Sequence, residues 1–184
     1  MGPLIKYTNR LILCVENETK AEQVLDLYLR NRIPFEQYEP TRPVSFYTKE
    51  YHRSSLHREY IAYTMGTFLR YYIYLINQPE KIIGSVNLNL FPNNREPYAE
   101  IGYKVDVLHQ NCGIAYEACE AALHVLVKDY QIHRVDARIH PENTASLALA
   151  KKLRFRPLQF EPQSANILGH YVDLMRYTRT LSLP

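Results

Sequence analysis

A chain of 184 residues that is 46% hydrophobic can bury one sizeable core and suits a single domain spanning 1–184. Its net charge of +3 is too small to argue for nucleic acid. No apolar run approaches the roughly 18 residues of a bilayer span, so no membrane partner is expected.

The start, Met1-Gly2-Pro3-Leu4-Ile5-Lys6, lacks the apolar block of a secretory signal. Cys14, Cys112 and Cys119 show no metal-ligand spacing, so no metal, reduced thiols and a cytoplasmic setting are expected. Sixteen tyrosines and no tryptophan suit either a polar pocket wall or ordinary strands.

In chain order, Thr8 to Val15 reads as a strand. Thr19 to Arg30 reads as an amphipathic helix with Val24, Leu27 and Tyr28 on one face. Thr19 with Glu22 three residues on has the form of a capping box. Pro34, Pro40 and Pro43 make 33–43 a loop. There Phe35 and Tyr38 alternate with Glu36 and Glu39. They are either rings that anchor a surface loop or a substrate-binding wall whose carboxylates attract an amine.

Thr48 to Tyr63 is a second helix. Phe68 to Ile76, Lys81 to Phe91 and Ala99 to Val107 form a three-stranded meander, joined by turns at 77–80 and 92–97. Ala115, Cys119, Ala122, Leu126 and Tyr130 then recur at helical spacing. His133 to Ile139 is a strand, Asn143 to Leu153 a short helix, and Pro157 to Phe160 and His170 to Thr178 are closing strands. This is an α/β (α+β) order: a mixed, mostly antiparallel sheet of about seven strands flanked by four helices. The helix between the strands at 99–107 and 133–139 makes that pair locally parallel.

Between strand and central helix lies Gln110-Asn111-Cys112-Gly113-Ile114-Ala115. The first N–H groups of a helix lack internal partners, and the macrodipole adds about half a positive charge there. Gly113 lets a ligand come close. A phosphate fits such a place, though an ordinary strand-to-helix connection has the same pattern.

The element order, the Q-N-C-G-I-A loop after A-E-I-G-Y-K-V-D-V, and the later N-T-A-S-L-A-L-A-K-K-L-R-F resemble the GNAT superfamily of acetyl-CoA-dependent N-acetyltransferases. T-N-R-L-I-L and N-R-I-P-F-E-Q-Y-E-P are similar to its RimJ/RimL-type branch, which acetylates the N-termini of ribosomal proteins. The likeness runs from about Thr8 to Thr178. The family loop usually begins with Arg or Gln, and Gln110 is the form without the charge; the chain departs where Arg154-Phe155 replaces Gly-Phe, and where Ala150 stands in place of the tyrosine general acid of many relatives.

The resemblance implies that the strand at 99–107 splays from the strand at 133–139, with the pantetheine arm pairing to Val105 and Val107. It places the pyrophosphate on Gln110, Asn111, Cys112, Gly113, Ile114 and Ala115, and the 3′-phosphate near Lys152, which otherwise belongs to a solvated basic run. Glu100 becomes the base, through a water, where alternation alone gives a solvated or salt-bridged carboxylate. The Val105 N–H becomes the oxyanion donor. Asn143 would bond the pantetheine amide, or simply cap its helix. Ser146 would protonate the leaving thiolate.

A peptide α-amine, with a pKa of about 7.7 to 8.0, is far more often neutral at pH 7 than a lysine at about 10.4. A single carboxylate therefore favours an N-terminal acceptor. A small amine such as a polyamine or an antibiotic, and a non-catalytic acyl-CoA-binding module, are the other readings. A monomer and a homodimer both suit the sequence.

Overall fold

The structure is a computed structural model and describes residues 1–182. One eight-stranded sheet runs in the order β1-β2-β3-β4-β5-β6-β8-β7. Its strands are β1 (Ile5–Tyr7), β2 (Leu11–Cys14), β3 (Phe68–Leu75), β4 (Gly84–Phe91), β5 (Tyr98–Val105), β6 (Arg134–Ile139), β7 (Arg156–Ile167) and β8 (His170–Thr180). The helices are α1 (Ala21–Arg30), α2 (Arg32–Glu36), α3 (Lys49–Thr64), α4 (Ile114–Tyr130) and α5 (Thr144–Lys152). Every neighbouring pair is antiparallel except β5 and β6, as the α4 crossover requires.

The expected class holds, with one more strand and one more helix. Strand β1 is only three residues long, too short for alternation to show; it is held by pairing with β2. Helix α2 forms across Pro34, which sits in the first turn where a missing N–H costs nothing. The capping box at Thr19 does not form. Asn17 caps instead, its Oδ1 accepting from Thr19 N–H at 3.0 Å and the Thr19 hydroxyl at 2.7 Å. Thr48 caps α3 by accepting from Tyr51 N–H at 3.2 Å.

The strand expected to reach Val107 stops at Val105. Asp106 turns the chain into a single 3₁₀ turn, Val107–His109, by accepting from Leu108 N–H at 3.0 Å. Arg154 holds φ 61, the left-handed conformation that the family's glycine adopts without strain.

Two cores lie on opposite faces of the sheet. On one, Ala118, Cys119, Ala122 and Leu126 of α4 pack against Val86, Leu88, Ala99, Ile101 and Val135. The small residues let the helix sit close to the strands. On the other, Val24, Leu27, Tyr28 and Leu56 from α1 and α3 pack against Tyr72 and Tyr74. Among the described residues no helix is long and apolar enough to cross a membrane.

Candidate active site

Strands β5 and β6 pair only at Ala99–Val135 and Glu100–Asp136. Beyond those pairs both strands continue but separate, leaving a wedge with Glu100 at its vertex. Asp106 N–H donates to Ile83 O at 2.8 Å, so alternation turns the backbone groups of Ile101, Tyr103 and Val105 toward the wedge. The Val105 carbonyl accepts from Gln110 Nε2 at 3.2 Å. Val107 is not part of this edge. It lies in the 3₁₀ turn, its N–H donates to Asn31 Oδ1 at 2.9 Å, and its carbonyl accepts from Gln110 N–H. The pairing expected there is therefore corrected, because its polar groups are already engaged.

The wedge opens onto the start of α4. Asn111 and Gly113 both have positive φ, 59° and 78°. Gly113 is the N-cap residue and supplies no side chain, so the first-turn N–H groups have no side-chain cap. Cys112 is exposed, and Ile114 is buried in the core beneath.

Arg10, from the β1–β2 turn, braces this loop. Its Nη1 donates to Cys112 O at 2.8 Å and its Nε to Glu117 Oε2 at 2.7 Å. A Cβ on Gly113 would lie 3.4 Å from Arg10 Nη2. Burial would raise the Glu117 carboxyl; bonds from Thr8 and Arg10 hold it below its ordinary range instead. The loop's other end is fixed by Asp106, whose carboxylate accepts from Arg30 Nε at 2.5 Å. Burial again opposes, and Arg30 with Leu108 N–H keeps Asp106 low.

Across the wedge, Asn143 Oδ1 accepts from Ser146 N–H at 3.0 Å and so caps α5. The Tyr103 hydroxyl donates to Ser146 O at 3.3 Å, linking β5 to α5. A phenol thus reaches the first turn of α5, one turn from the buried Ala150. Burial raises its pKa. Lys152 Nζ lies 4.5 Å over the Tyr116 ring, at the outer rim.

On the other face, Glu100 accepts from Arg176 Nη1 at 2.9 Å and lies 3.4 Å from Arg138 Nη2. Arg176 also meets Glu161 at 2.5 Å and Asp136 at 3.4 Å. The salt-bridged reading of Glu100 therefore describes this structure.

The expected substrate wall is only partly there. Phe35 is 6% exposed and packs edge-on to Tyr28 at 5.9 Å, so it is a core residue. Glu36 accepts from the Tyr47 hydroxyl and from Arg32, which removes it as a lure for an amine. Tyr38 lies beside the start of α5, its hydroxyl donating to Glu142 O at 3.3 Å.

Arg10, Asp106, Tyr103, Arg138 and Arg176 escape a reading of local pattern, since each acts on a partner from another element. The Q-N-C-G-I-A loop carried the one local signal, and Arg10 is visible only once β1 and β2 pair.

Known proteins share both sequence and fold. The family described as Acetyltransferase (GNAT) domain matches residues 10–156. The chain is 27% identical over 161 residues to the probable N-acetyltransferase YjcK of Bacillus subtilis (strain 168), covering 84% of this chain and 85% of that protein. It is 27% identical over 173 residues to the ribosomal protein uS5-alanine N-acetyltransferase of Escherichia coli (strain K12), covering 90% and 85%.

The crystal structure of the ribosomal-protein-S5-alanine acetyltransferase from Vibrio fischeri superposes with a TM-score of 0.90 at 20% identity, over 97% of each chain. Mycobacterium smegmatis RimJ, in complex with CoA-disulfide, superposes with a TM-score of 0.86 at 21% identity, over 92% of this chain and 81% of that one. These two structures share its fold. With most of its length matched by the family, and with relatives that are N-acetyltransferases, this chain belongs to the GNAT acetyltransferases and is an acyltransferase.

Proposed function

We propose that the chain transfers the acetyl group of acetyl-CoA to the N-terminal α-amine of a protein or peptide, by direct attack in a ternary complex. The names of its relatives point to ribosomal proteins as the acceptor class. The carrying observation is the β5–β6 wedge opening onto the uncapped start of α4. That combination offers a strand edge for an amide-bearing arm and an N–H cluster for a diphosphate.

In this reading the backbone of Ile101 to Val105 receives the pantetheine arm. The N–H groups from Asn111 to Ala115 take the diphosphate, with Arg10 beside them and Lys152 toward the 3′-phosphate. The amine nitrogen attacks the thioester carbon while the Val105 N–H holds the developing oxyanion. The amine's proton passes through a water to Glu100, which Arg176 and Arg138 hold in place. The C–S bond breaks, and the thiolate takes a proton from Ser146, whose hydroxyl regains one from water; the Tyr103 hydroxyl lies on the same wall. A thiol with an ordinary pKa of about 8.5 leaves readily, so the buried Ala150 is tolerated.

Thiol release from acetyl-CoA over a panel of peptides and small amines tests this. Release with free peptide N-termini, and little with polyamines, is expected. Preference for a polyamine or an antibiotic would move the acceptor to small amines. Tight acetyl-CoA binding with no release from any acceptor would reduce the chain to a binding module.

A further inference from the structure

On the sheet face opposite α4, the far end of β5 carries a largely covered cation, its side chain 13% exposed. Lys104 Nζ lies 2.6 Å and 2.8 Å from the two carboxylate oxygens of Glu39. It also lies 4.9 Å from the Tyr28 ring centroid and 5.4 Å from that of Phe35. The same Glu39 carboxylate accepts from Arg42, whose guanidinium sits 4.5 Å over Tyr28 and 4.1 Å over Phe46. Nearby Arg70 of β3 is engaged by Glu59 at 2.5 Å.

Three cations therefore share two carboxylates in this corner. Arg42 Nη1 and Arg70 Nε are buried with no partner among the described residues. Burial alone would raise the Tyr28 phenol, yet Lys104, Arg70 and Arg42 bring it down to about 8. Burial, with Arg42 and Arg70 adding, lowers Lys104 to about 8. Surplus positive charge that is mostly withdrawn from water is costly unless an anion meets it.

The anion now present reaches the surface. Glu39 is 24% exposed and belongs to the segment between α2 and α3. That segment is tied to the β7–β8 hairpin tip at Thr41, which bonds Asn166 and Gly169. Glu100 and Lys104 project from one face of β5 four residues apart, about 13 Å at ~3.3 Å per residue. An extended peptide covers that span in about four residues.

We infer that the acceptor carries an anionic group, a carboxylate or a phosphate, which enters between Lys104 and Arg42 in place of Glu39. This rests on the acetyl-transfer reading and names its acceptor class. In a peptide the group is an Asp or Glu side chain among the first few residues. In a small amine it is a phosphate or carboxylate at similar reach.

The test measures kcat/KM and peptide affinity for N-terminal peptides with Asp walked through the second to fifth positions. Neutral and Lys-bearing peptides, and 8-aminooctyl phosphate, whose extended chain has a similar reach, complete the set. One Asp position is expected to beat the neutral peptide by about tenfold, mostly through KM, with the gain shrinking as salt rises. Preference for 8-aminooctyl phosphate over every peptide would keep the anion site and assign it to small amines. Arg42→Gln should collapse the acidic-to-neutral ratio. Glu39→Gln should lower KM for the acidic peptide further, a gain that a purely structural strap cannot produce.

Turnover without charge discrimination would overturn the inference and leave acetyl transfer standing. Tighter binding of acidic peptides by a protein that releases no thiol would uphold the anion site and discard the transfer reaction. No discrimination in either turnover or binding would overturn the inference.

Discussion

Glu100 sits where the β5–β6 ladder ends, and two guanidinium groups hold its carboxylate. A carboxylate so held is fixed in place, which positions the proposed proton acceptor. Glu100→Gln keeps the shape and removes the charge. It is expected to lower kcat by about a hundredfold or more while leaving acetyl-CoA affinity unchanged; an unaltered rate would remove Glu100 from the chemistry.

Gly113 holds φ 78, and an added Cβ there meets only Arg10 Nη2, at 3.4 Å. Gly113→Val is therefore strained by its backbone conformation and crowds the proposed diphosphate rather than the protein. Weaker acetyl-CoA binding, read by calorimetry, is expected.

Arg154 offers the opposite case. It holds φ 61 at the end of α5 with nothing gained from a side chain in that conformation. Arg154→Gly trades a left-handed strain of about 1–2 kcal/mol for a smaller chain-entropy cost, so a melting temperature higher by a few degrees is expected.

At the scale of elements, the loop ahead of α4 is held from two sides. Arg10 ties it to the β1–β2 turn, and Asp106 ties its foot to Arg30 at the end of α1. Arg10→Gln loses the ion pair to Glu117 and the bond to Cys112 O together. It is expected to weaken acetyl-CoA binding several-fold with little change in the peptide KM. Equal loss in both would mean that the loop serves the acceptor as well.

Over the whole molecule, one source of acid sensitivity is a buried histidine. His52 is 3% exposed and stacks on Tyr28 at 5.2 Å. Burial, then Arg42 and Arg70, lower its pKa from 6.5 to about 4. Between those two values the unfolded chain binds the proton and the folded chain does not. Stability is therefore full above pH 6.5 and falls as pH drops toward 4. Asp106, also held low, loses its contribution at still lower pH. His52→Phe keeps the stacked ring without the titration, and should flatten urea-melt stability between pH 6.5 and 4 by roughly 1 to 3 kcal/mol. A profile as steep as before would place the acid sensitivity elsewhere.

The order of strands and helices, the turn at Gly113 and the cap at Asn143 were legible because each is written in neighbouring residues. Alternation, helical spacing and capping are relations between positions one to four apart. Strand β1 and the helix across Pro34 were missed because so few residues carry no period. The wedge, Arg10 above the loop, the two arginines on Glu100 and the Lys104–Glu39–Arg42 cluster were decided by tertiary structure alone. Their members come from segments far apart in the chain, and nothing local marks which distant charge will be brought to meet them.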